Sequence, residues 1–297
     1  MADDTFTAVD LSRLPAPKII EALDFETIYA DALAQFVALM PDFVARDSDP
    51  ATKILQMFSY RELILRQRIN DALRGTMVAY AVGADLDNLG ALLGVVRLTV
   101  TPADTALNIP PVLESDTDFR RRIVLAPEGY SVAGPEGAYI FHALTADADV
   151  LDVAVESPSP GTVLVSILSR TGDGTASSEL IAAVDAYLSD DTRRPLTDYV
   201  QVQSATIINY TIDAQVTTYT GPDAAVVIAA GTERLNTYIA ESHRMGRDIT
   251  LSGIHSALHV PGVQNVVLVQ PAADIVVANS EAAYCTAVTV THLGVGE

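Results

Sequence analysis

The sequence has one cysteine, Cys285, and no tryptophan. A single cysteine excludes a disulfide within the chain, so we expect the protein to be made and kept in a reducing cytoplasm. An aromatic share of only 6% argues modestly against a sugar-binding site, although 11 tyrosines remain. No run reaches the ~18 consecutive apolar residues of a membrane helix. The N-terminal segment lacks the basic start and apolar core of a secretory signal.

Positive charge is also scarce, with 18 Lys and Arg against 38 Asp and Glu and a net charge of -20. Such a surface repels phosphate, so we expect neither nucleic acid nor an anionic membrane as a partner. The basic run Arg120–Arg122 is predicted to be a solvated or salt-bridged helix face beside Asp116 and Asp118. The apolar share of 49% leaves surface for protein partners, and the 297 residues predict two or three domains.

Residues 1–24 are predicted to form an extended arm, because Pro15 and Pro17 block a regular helix there. The apolar residues of the arm either dock on a neighbouring chain or fray as a terminus, and the sequence leaves both open. Apolar residues at spacings of three and four then predict a helix over Phe25–Met40. We group residues 25–95 as a helical, bundle-forming region.

Two further helices are predicted in this region. The first begins at Asp49-Pro50, where Asp suits the N-cap and Pro the first helical position, and it runs to about Tyr80. The second runs from Asp85 to Leu93, with Asp85 as its N-cap and Gly94 as a left-handed stop.

The long helix carries two apolar stripes. A helix that is apolar on more than one side must be covered on more than one side. We predict that another chain covers one stripe, with burial against the rest of this chain as the alternative. The predicted partner-binding stripe follows a heptad that is interrupted by Glu62 and extends to Thr76; its residues are Leu55, Phe58, Leu65, Ile69 and Ala72. The second stripe holds Ile54, Met57, Ile64, Leu73, Met77 and Tyr80.

The predicted fold class is α+β, an N-terminal helical region followed by two small α+β modules in tandem. Residues 96–149 are predicted to be a connecting helical region, within which the Pro- and Thr-rich residues 99–115 form a connection. A strand–strand–helix–strand pattern predicts the first module over residues 150–205. The second module, residues 206–297, repeats that order loosely and includes a predicted strand at Ile275–Val277.

No catalytic, cofactor-binding or metal site is predicted. His255 and His259 have a zinc-compatible spacing, but no glutamate lies between them and no third ligand is evident. Ser131 lies in a pattern like a nucleophile elbow, yet a helical segment precedes it, where that motif has a strand. Residues 172–174 lack the acidic residues of a calcium loop. Cys285 is predicted to be a packed thiol, because nothing nearby in the sequence would lower its pKa.

Several short segments resemble the baseplate J family of contractile phage tails and R-type, tail-like bacteriocins. Each is weak alone, but together they span most of the chain in the order of the family. They are Tyr60–Leu63, Arg66–Ala72, Gly83–Leu89, Phe119–Ile123, Ala126–Ser131, Gly134–Tyr139, Ser157–Gly161, His243–Asp248 and His259–Val263.

The resemblance implies a structural subunit of the baseplate wedge. In related particles two copies join one copy of a second wedge protein through their N-terminal helices, which form a three-chain bundle. The resemblance further implies contacts with neighbouring wedges, with the hub and spike and with sheath-initiating proteins, and a part in the contraction switch. It implies no catalytic residues and no cofactor.

Two other functions stay open from the sequence alone. One is a cytoplasmic hydrolase that uses Ser131 or the pair His255 and His259. The other is a tail module that binds a receptor or a glycan. The sequence does not separate an infectious phage from a DNA-free killing particle.

Overall fold

The structure, a computed structural model, describes Leu11 and residues 23–221 and 223–296. Apart from Leu11, Leu23 and Asp24, the predicted arm lies outside the described residues. The α+β prediction is confirmed, and the chain divides into two compact units. The N-terminal unit contains the described residues up to Arg97 together with Ser115–Val124. The second unit contains Leu98–Glu114 and the chain from Leu125 onward.

Four helices build the N-terminal unit: α1 (Phe25–Leu39), α2 (Pro50–Gly75), α3 (Gly83–Leu92) and α4 (Asp116–Leu125, whose last residue belongs to the second unit). The predicted N-cap of α2 is confirmed, since Asp49 Oδ1 accepts a hydrogen bond from Ala51 N at 2.8 Å. Asp24 caps α1 in the same way, through Glu26 N at 3.1 Å.

The end of α2 differs from the prediction, because the helix stops at Gly75 and not near Tyr80. A Cβ at Gly75 would lie 2.8 Å from Asp85 Oδ2, so a larger residue there would require the Asp85 side chain to move. The next two amides, Thr76 N and Met77 N, bond back to the carbonyl groups of Leu73 and Arg74 in a tight turn. The predicted stripe residues Thr76, Met77 and Tyr80 therefore lie beyond the helix.

The start of α3 was also predicted wrongly. The helix begins at Gly83, and its N-cap residue Val82 has no side-chain oxygen. Asp116 Oδ2, at the start of α4, accepts from Gly83 N at 3.2 Å instead. A cap supplied from another helix leaves no local sequence signal. The predicted stop is confirmed, since Gly94 has a φ of 72°.

The arginine run on α4 was predicted to be a solvated or salt-bridged face, and the solvated alternative is wrong for Arg120 and Arg122. Arg120 donates to the carbonyl groups of Val78 and Ala81, at 2.7 Å each. Arg122 is only 2% exposed and donates to Val96 O at 2.7 Å. Carbonyl groups with no helical partner attract these guanidinium groups, so the arginines fix the loops that follow α2 and α3.

The second unit opens with a small hairpin and a 3-10 turn, followed by the central module, whose core includes residues of α5. The hairpin lies within residues 99–115, which were predicted to be a connection. In the central module, β3 and β4 pair antiparallel, β4 and β5 pair parallel, and the sheet order is β3-β4-β5. The elements are β1 (Thr99–Thr101), β2 (Val112–Leu113), a 3-10 turn (Glu128–Tyr130), α5 (Glu136–Ala146), β3 (Val150–Ser159), β4 (Thr162–Ser169), α6 (Ser178–Leu188) and β5 (Tyr199–Ser204).

The C-terminal module has a sheet of order β7-β6-β8, in which β6 pairs antiparallel with β7 and parallel with β8. The predicted strand Ile275–Val277 is absent, because Ile275 makes only an isolated bridge with Ile249 and Val277 N bonds to Asp248 Oδ1 at 2.7 Å. The elements are β6 (Thr206–Tyr219), α7 (Ala224–Ser242), α8 (Leu251–Leu258), β7 (Val263–Gln270) and β8 (Glu281–Gly296).

A loop after α7 joins the two modules of the second unit. Arg244 Nη1 donates to Leu151 O at 2.8 Å, and Met245 N donates to Asp152 Oδ2 at 3.0 Å. Asp152 is only 5% exposed, so its carboxylate holds the loop inside the protein. These bonds connect the C-terminal module to the first strand of the central module.

Candidate functional site: an exposed apolar face on the second helix

The long helix α2 buries small polar residues and exposes large apolar ones. Thr52 and Ser59 are 1% exposed and Asn70 is 3% exposed. Besides Tyr60, six large apolar side chains on α2 are between 45% and 59% exposed, and we call these six the α2 apolar face. They are Ile54, Met57, Phe58, Ile64, Leu65 and Ile69. Soluble helices normally bury the opposite set, so the described residues of this chain leave the apolar side of α2 uncovered.

The buried side of α2 consists of small polar residues. α1 packs against α2 and contributes Ile28 as its one buried residue among those described. Ser59 is short, and its hydroxyl donates to Leu55 O of the same helix at 2.9 Å, so its polarity is satisfied locally. Short polar side chains such as Thr52 and Ser59 remove little apolar area from water when they are buried.

The structure brings most of the predicted partner-binding stripe onto the exposed side. Phe58 is 59% exposed, Leu65 57% and Ile69 45%, Ala72 is also exposed, and Leu55 is half-buried. Residues seven apart share one side of a helix, so Phe58, Leu65 and Ala72 lie in a row.

The second predicted stripe joins the first on the same side. Met57 and Ile64 form a heptad row of their own and are also exposed. Tyr60, 56% exposed, was missed because it belongs to neither stripe. A search of the sequence for apolar residues seven positions apart, and not only three or four apart, shows that the face is two rows wide. An open groove of ≈ 890 Å³ runs over it.

The residues considered for catalysis are not assembled with one another. Ser131 Oγ accepts from Ala133 N at 3.3 Å, a local turn contact. His255 lies in the last turn of α8, and His259 is the C-cap of that helix. Over residues 23–221 and 223–296, no group of three His, Cys, Asp or Glu side chains could hold a metal ion. Within these described ranges, no helix has the length and apolar character needed to cross a membrane.

Two other candidates take part in local packing. Asp173 Oδ1 accepts from Thr175 N at 3.0 Å, and this bond contributes most to lowering the pKa of the Asp173 carboxyl group. Residues 172–174 thus form a turn that leads toward α6. Burial raises the pKa of the Cys285 thiol, which donates to Ala287 O at 3.4 Å. A thiol with a raised pKa is a poor nucleophile near neutral pH, as the prediction of a packed thiol requires.

Three parts of the chain match the domains of one protein family. Residues 47–104 match the Baseplate J-like N-terminal domain, residues 131–204 the Baseplate J-like central domain, and residues 210–291 the Baseplate J-like protein C-terminal domain. The chain belongs to the baseplate J family. The α2 apolar face lies within the N-terminal match.

A curated relative agrees with this assignment. Baseplate protein J of Escherichia phage P2 is 48% identical over 289 residues, which cover 94% of this chain and 95% of the relative. As a baseplate J family member, the chain has a structural role in a tail baseplate, and the predicted family is confirmed.

A solved structure is also similar. The cryo-EM structure of the anti-feeding prophage baseplate, symmetrised six-fold, matches 60% of this chain at 16% identity with a TM-score of 0.43. This chain spans 44% of that baseplate chain, and a likeness of this size supports no conclusion about function.

Proposed function

We propose that the chain is a wedge subunit of the baseplate in a contractile tail or tail-like particle, and that the α2 apolar face is its assembly surface. The observation that carries the proposal is the burial pattern of α2, which has Thr52 and Ser59 inside and Phe58 and Leu65 outside. An exposed, contiguous apolar patch of this kind marks a surface for another protein.

Energetics support an interchain bundle. Fully burying one large apolar side chain contributes about 1.5–3 kcal/mol, so covering the six residues of the face contributes on the order of 10 kcal/mol before the cost of association. The partners we propose are a second copy of this chain and a second wedge protein, in a three-chain helical bundle.

The remaining parts of the chain receive roles by the same reasoning. We propose residues 25–95 as the bundle-forming part and residues 96–149 as the connection. The modules over residues 150–205 and 206–297 then contact neighbouring wedges, the hub and spike, and sheath-initiating proteins. Because loop bonds from Arg244 and Met245 join these two modules, a contraction signal passes through them as one body.

We further propose that the chain catalyses no reaction and is made in the host cytoplasm before it enters the particle. The local contacts of Ser131 and the separate places of His255 and His259 on and after α8 support the first statement. Replacing all three residues and measuring infectivity or killing by the particle tests it. Unchanged activity is the expected result.

The decisive experiment places a charge on the face. The full chain is co-expressed with the proteins encoded beside it in its tail gene cluster, and complexes are isolated and analysed by native mass spectrometry. We expect Leu65→Asp to abolish the complex, because a carboxylate buried without a partner costs several kcal/mol.

The matched control is Val226→Asp on α7, a position that is 65% exposed and lies outside the α2 apolar face. It should assemble as the native chain does. Circular dichroism of both variants checks that they remain folded. Normal complex formation by Leu65→Asp would contradict the proposed assembly surface.

A further inference from the structure

The charge of α2 is opposite to that of the rest of the protein. The helix holds five basic residues, Lys53, Arg61, Arg66, Arg68 and Arg74, against two acidic ones, Glu62 and Asp71. Its net side-chain charge is therefore +3 in a chain whose total is -20, which leaves -23 for all other residues. α1 has the opposite balance, with Glu26 and Asp31 and no basic residue.

Two of these arginines lie within the α2 apolar face. Arg61 and Arg68 are seven residues apart, so they form a row between the row of Met57 and Ile64 and the row of Phe58 and Leu65. Both are exposed and line the groove over the face.

The pairing of these arginines differs from that of their neighbour. Arg66 pairs with Glu62 one turn away. Neither Arg61 nor Arg68 has a carboxylate within 4.0 Å among the residues that the structure describes. Two guanidinium groups in an apolar surface are therefore available to a partner.

A partner that covers the face must also neutralise these groups. Removing an unpaired guanidinium group from water costs several kcal/mol, so a purely apolar helix would cover the face poorly. The α2 helix of a second copy would also carry a net side-chain charge of +3 and would be repelled. Carboxylates on the covering helix would form charge-assisted, bidentate bonds with Arg61 and Arg68 at the moment of burial.

We infer that the occupant of the α2 apolar face is an acidic amphipathic helix of another protein, with carboxylates beside an apolar heptad, and not a second α2. This inference rests on the proposed assembly function and specifies its partner. Two copies of this chain then share a bundle only when such an acidic helix lies between them.

The test compares two synthetic helices that have the same leucine heptad and are flanked either by glutamate or by lysine. Each is labelled and titrated with the full-length chain, and binding is followed by fluorescence anisotropy. The glutamate helix should bind more tightly, although the protein as a whole is strongly acidic and would repel it. Distant charges are screened beyond ~10 Å at 0.1 M salt, so the nearby arginines decide the preference.

Charge reversal on the face should reverse the preference. We expect Arg68→Glu to weaken binding of the glutamate helix by roughly three- to tenfold, and Arg61→Glu with Arg68→Glu to favour the lysine helix. The control Arg234→Glu changes the charge by the same amount at an exposed position on α7 and should leave the preference as it is.

The outcomes separate this inference from the proposed function. Equal binding of the two helices, tighter binding of the lysine helix, binding of neither, or self-association of the chain through α2 would each overturn the acidic partner. The proposed assembly surface would survive those results if Leu65→Asp still abolished complex formation. If Leu65→Asp assembled normally, the assembly surface would fail whichever helix bound.

Discussion

The α1–α2 hairpin and the C-terminal module bury opposite kinds of side chain. In the module, Leu235 on α7 and Ile254 on α8 are 0% exposed and belong to a continuous apolar core. In the hairpin, α2 buries Thr52 and Ser59 and exposes Phe58 at 59%. The module thus closes a core with its own residues, whereas the hairpin leaves large apolar residues of α2 exposed.

Side-chain periodicity explains how one sequence holds both patterns. Along β6, Ile212, Ala214 and Val216 alternate with less buried residues, so one face of the strand meets α7 and α8. On α2 the apolar residues cover a broad arc, which a single packed helix cannot enclose. The same substitution should therefore lower the free energy of unfolding by different amounts in the two regions.

The largest expected effect comes from leucine truncation in the module. We expect Leu235→Ala to lower the free energy of unfolding by about 2–5 kcal/mol, because the side chain is fully enclosed and its removal leaves a cavity. Chemical denaturation followed by tyrosine fluorescence measures this. Tyr210 and Tyr238 report on the module, since both pack in the core and the chain has no tryptophan.

The same truncation on α2 is the matched comparison. Leu65→Ala should change the free energy of unfolding of the isolated chain by no more than about 0.5 kcal/mol, because Leu65 is 57% exposed. A cost similar to that of Leu235→Ala would mean that the protomer itself covers the α2 apolar face. The contrast between the two regions would then disappear.

The sequence predicted the module better than the loops around the helices. The long strand β6 and the helix α7 fit the order of strands and helix predicted for this module, because alternation and apolar spacing are local patterns. At the end of α2, Gly75 lies close to the side chain of Asp85. At the start of α3, Asp116 accepts a hydrogen bond from Gly83 N. Such contacts join residues far apart in the chain, so no window of sequence reveals them.

The candidate site was predicted in part. The heptad row of Phe58 and Leu65 was visible in the sequence, and so was the row of Met57 and Ile64. Periodicity shows that a helix has two apolar stripes, but it does not show which one is covered within the chain. The unusual fact that α2 buries Thr52 and Ser59 becomes evident only from the packing.

A second, smaller effect is expected at Gly90 on α3, where the N-terminal unit does close a core. A Cβ at Gly90 would lie 2.6 Å from Phe119 Cζ and 3.1 Å from Val95 O. Phe119 is 0% exposed and Arg97 lies over its ring, so the ring has little room to move. We expect Gly90→Ala to cost about 1–3 kcal/mol, because overpacking outweighs the ~1 kcal/mol gain in helix propensity.

Denaturation of Gly90→Ala is compared with Ala91→Ser, the exposed neighbouring position. This control should stay close to the native chain. A stabilised Gly90→Ala would show that the packing of α3 on α4 is looser than described. In that case the whole N-terminal unit, and not α2 alone, would be loosely packed.

The smallest expected effect is a dependence of the free energy of unfolding on pH. It arises in the central module, which partly buries a histidine ring, whereas the α2 apolar face contains no histidine. His142 on α5 has a buried Nδ1 with no hydrogen-bond partner among the described residues. Burial, and next the charge of Arg193, lower the pKa of His142, while a bond to the Gly129 backbone opposes them. The folded state therefore holds this ring neutral more strongly than the unfolded chain does.

The sign of the effect follows from that lowered pKa. Above the unfolded pKa of ~6.5 both states are neutral and the ring adds no pH dependence. As the pH falls below ~6.5, the unfolded chain takes up the proton first, so the free energy of unfolding decreases. The ring is only partly enclosed, so the loss should stay below about 1 kcal/mol. His142→Gln should remove this part of the decline, measured by denaturation at several values between about pH 7 and pH 5, whereas the same substitution at the exposed His259 should leave it. If the free energy of unfolding fell equally with pH in the native chain and in His142→Gln, the central module would not bury this ring. The contrast between a buried core in the modules and an exposed face on α2 would then rest on Leu235 and Leu65 alone.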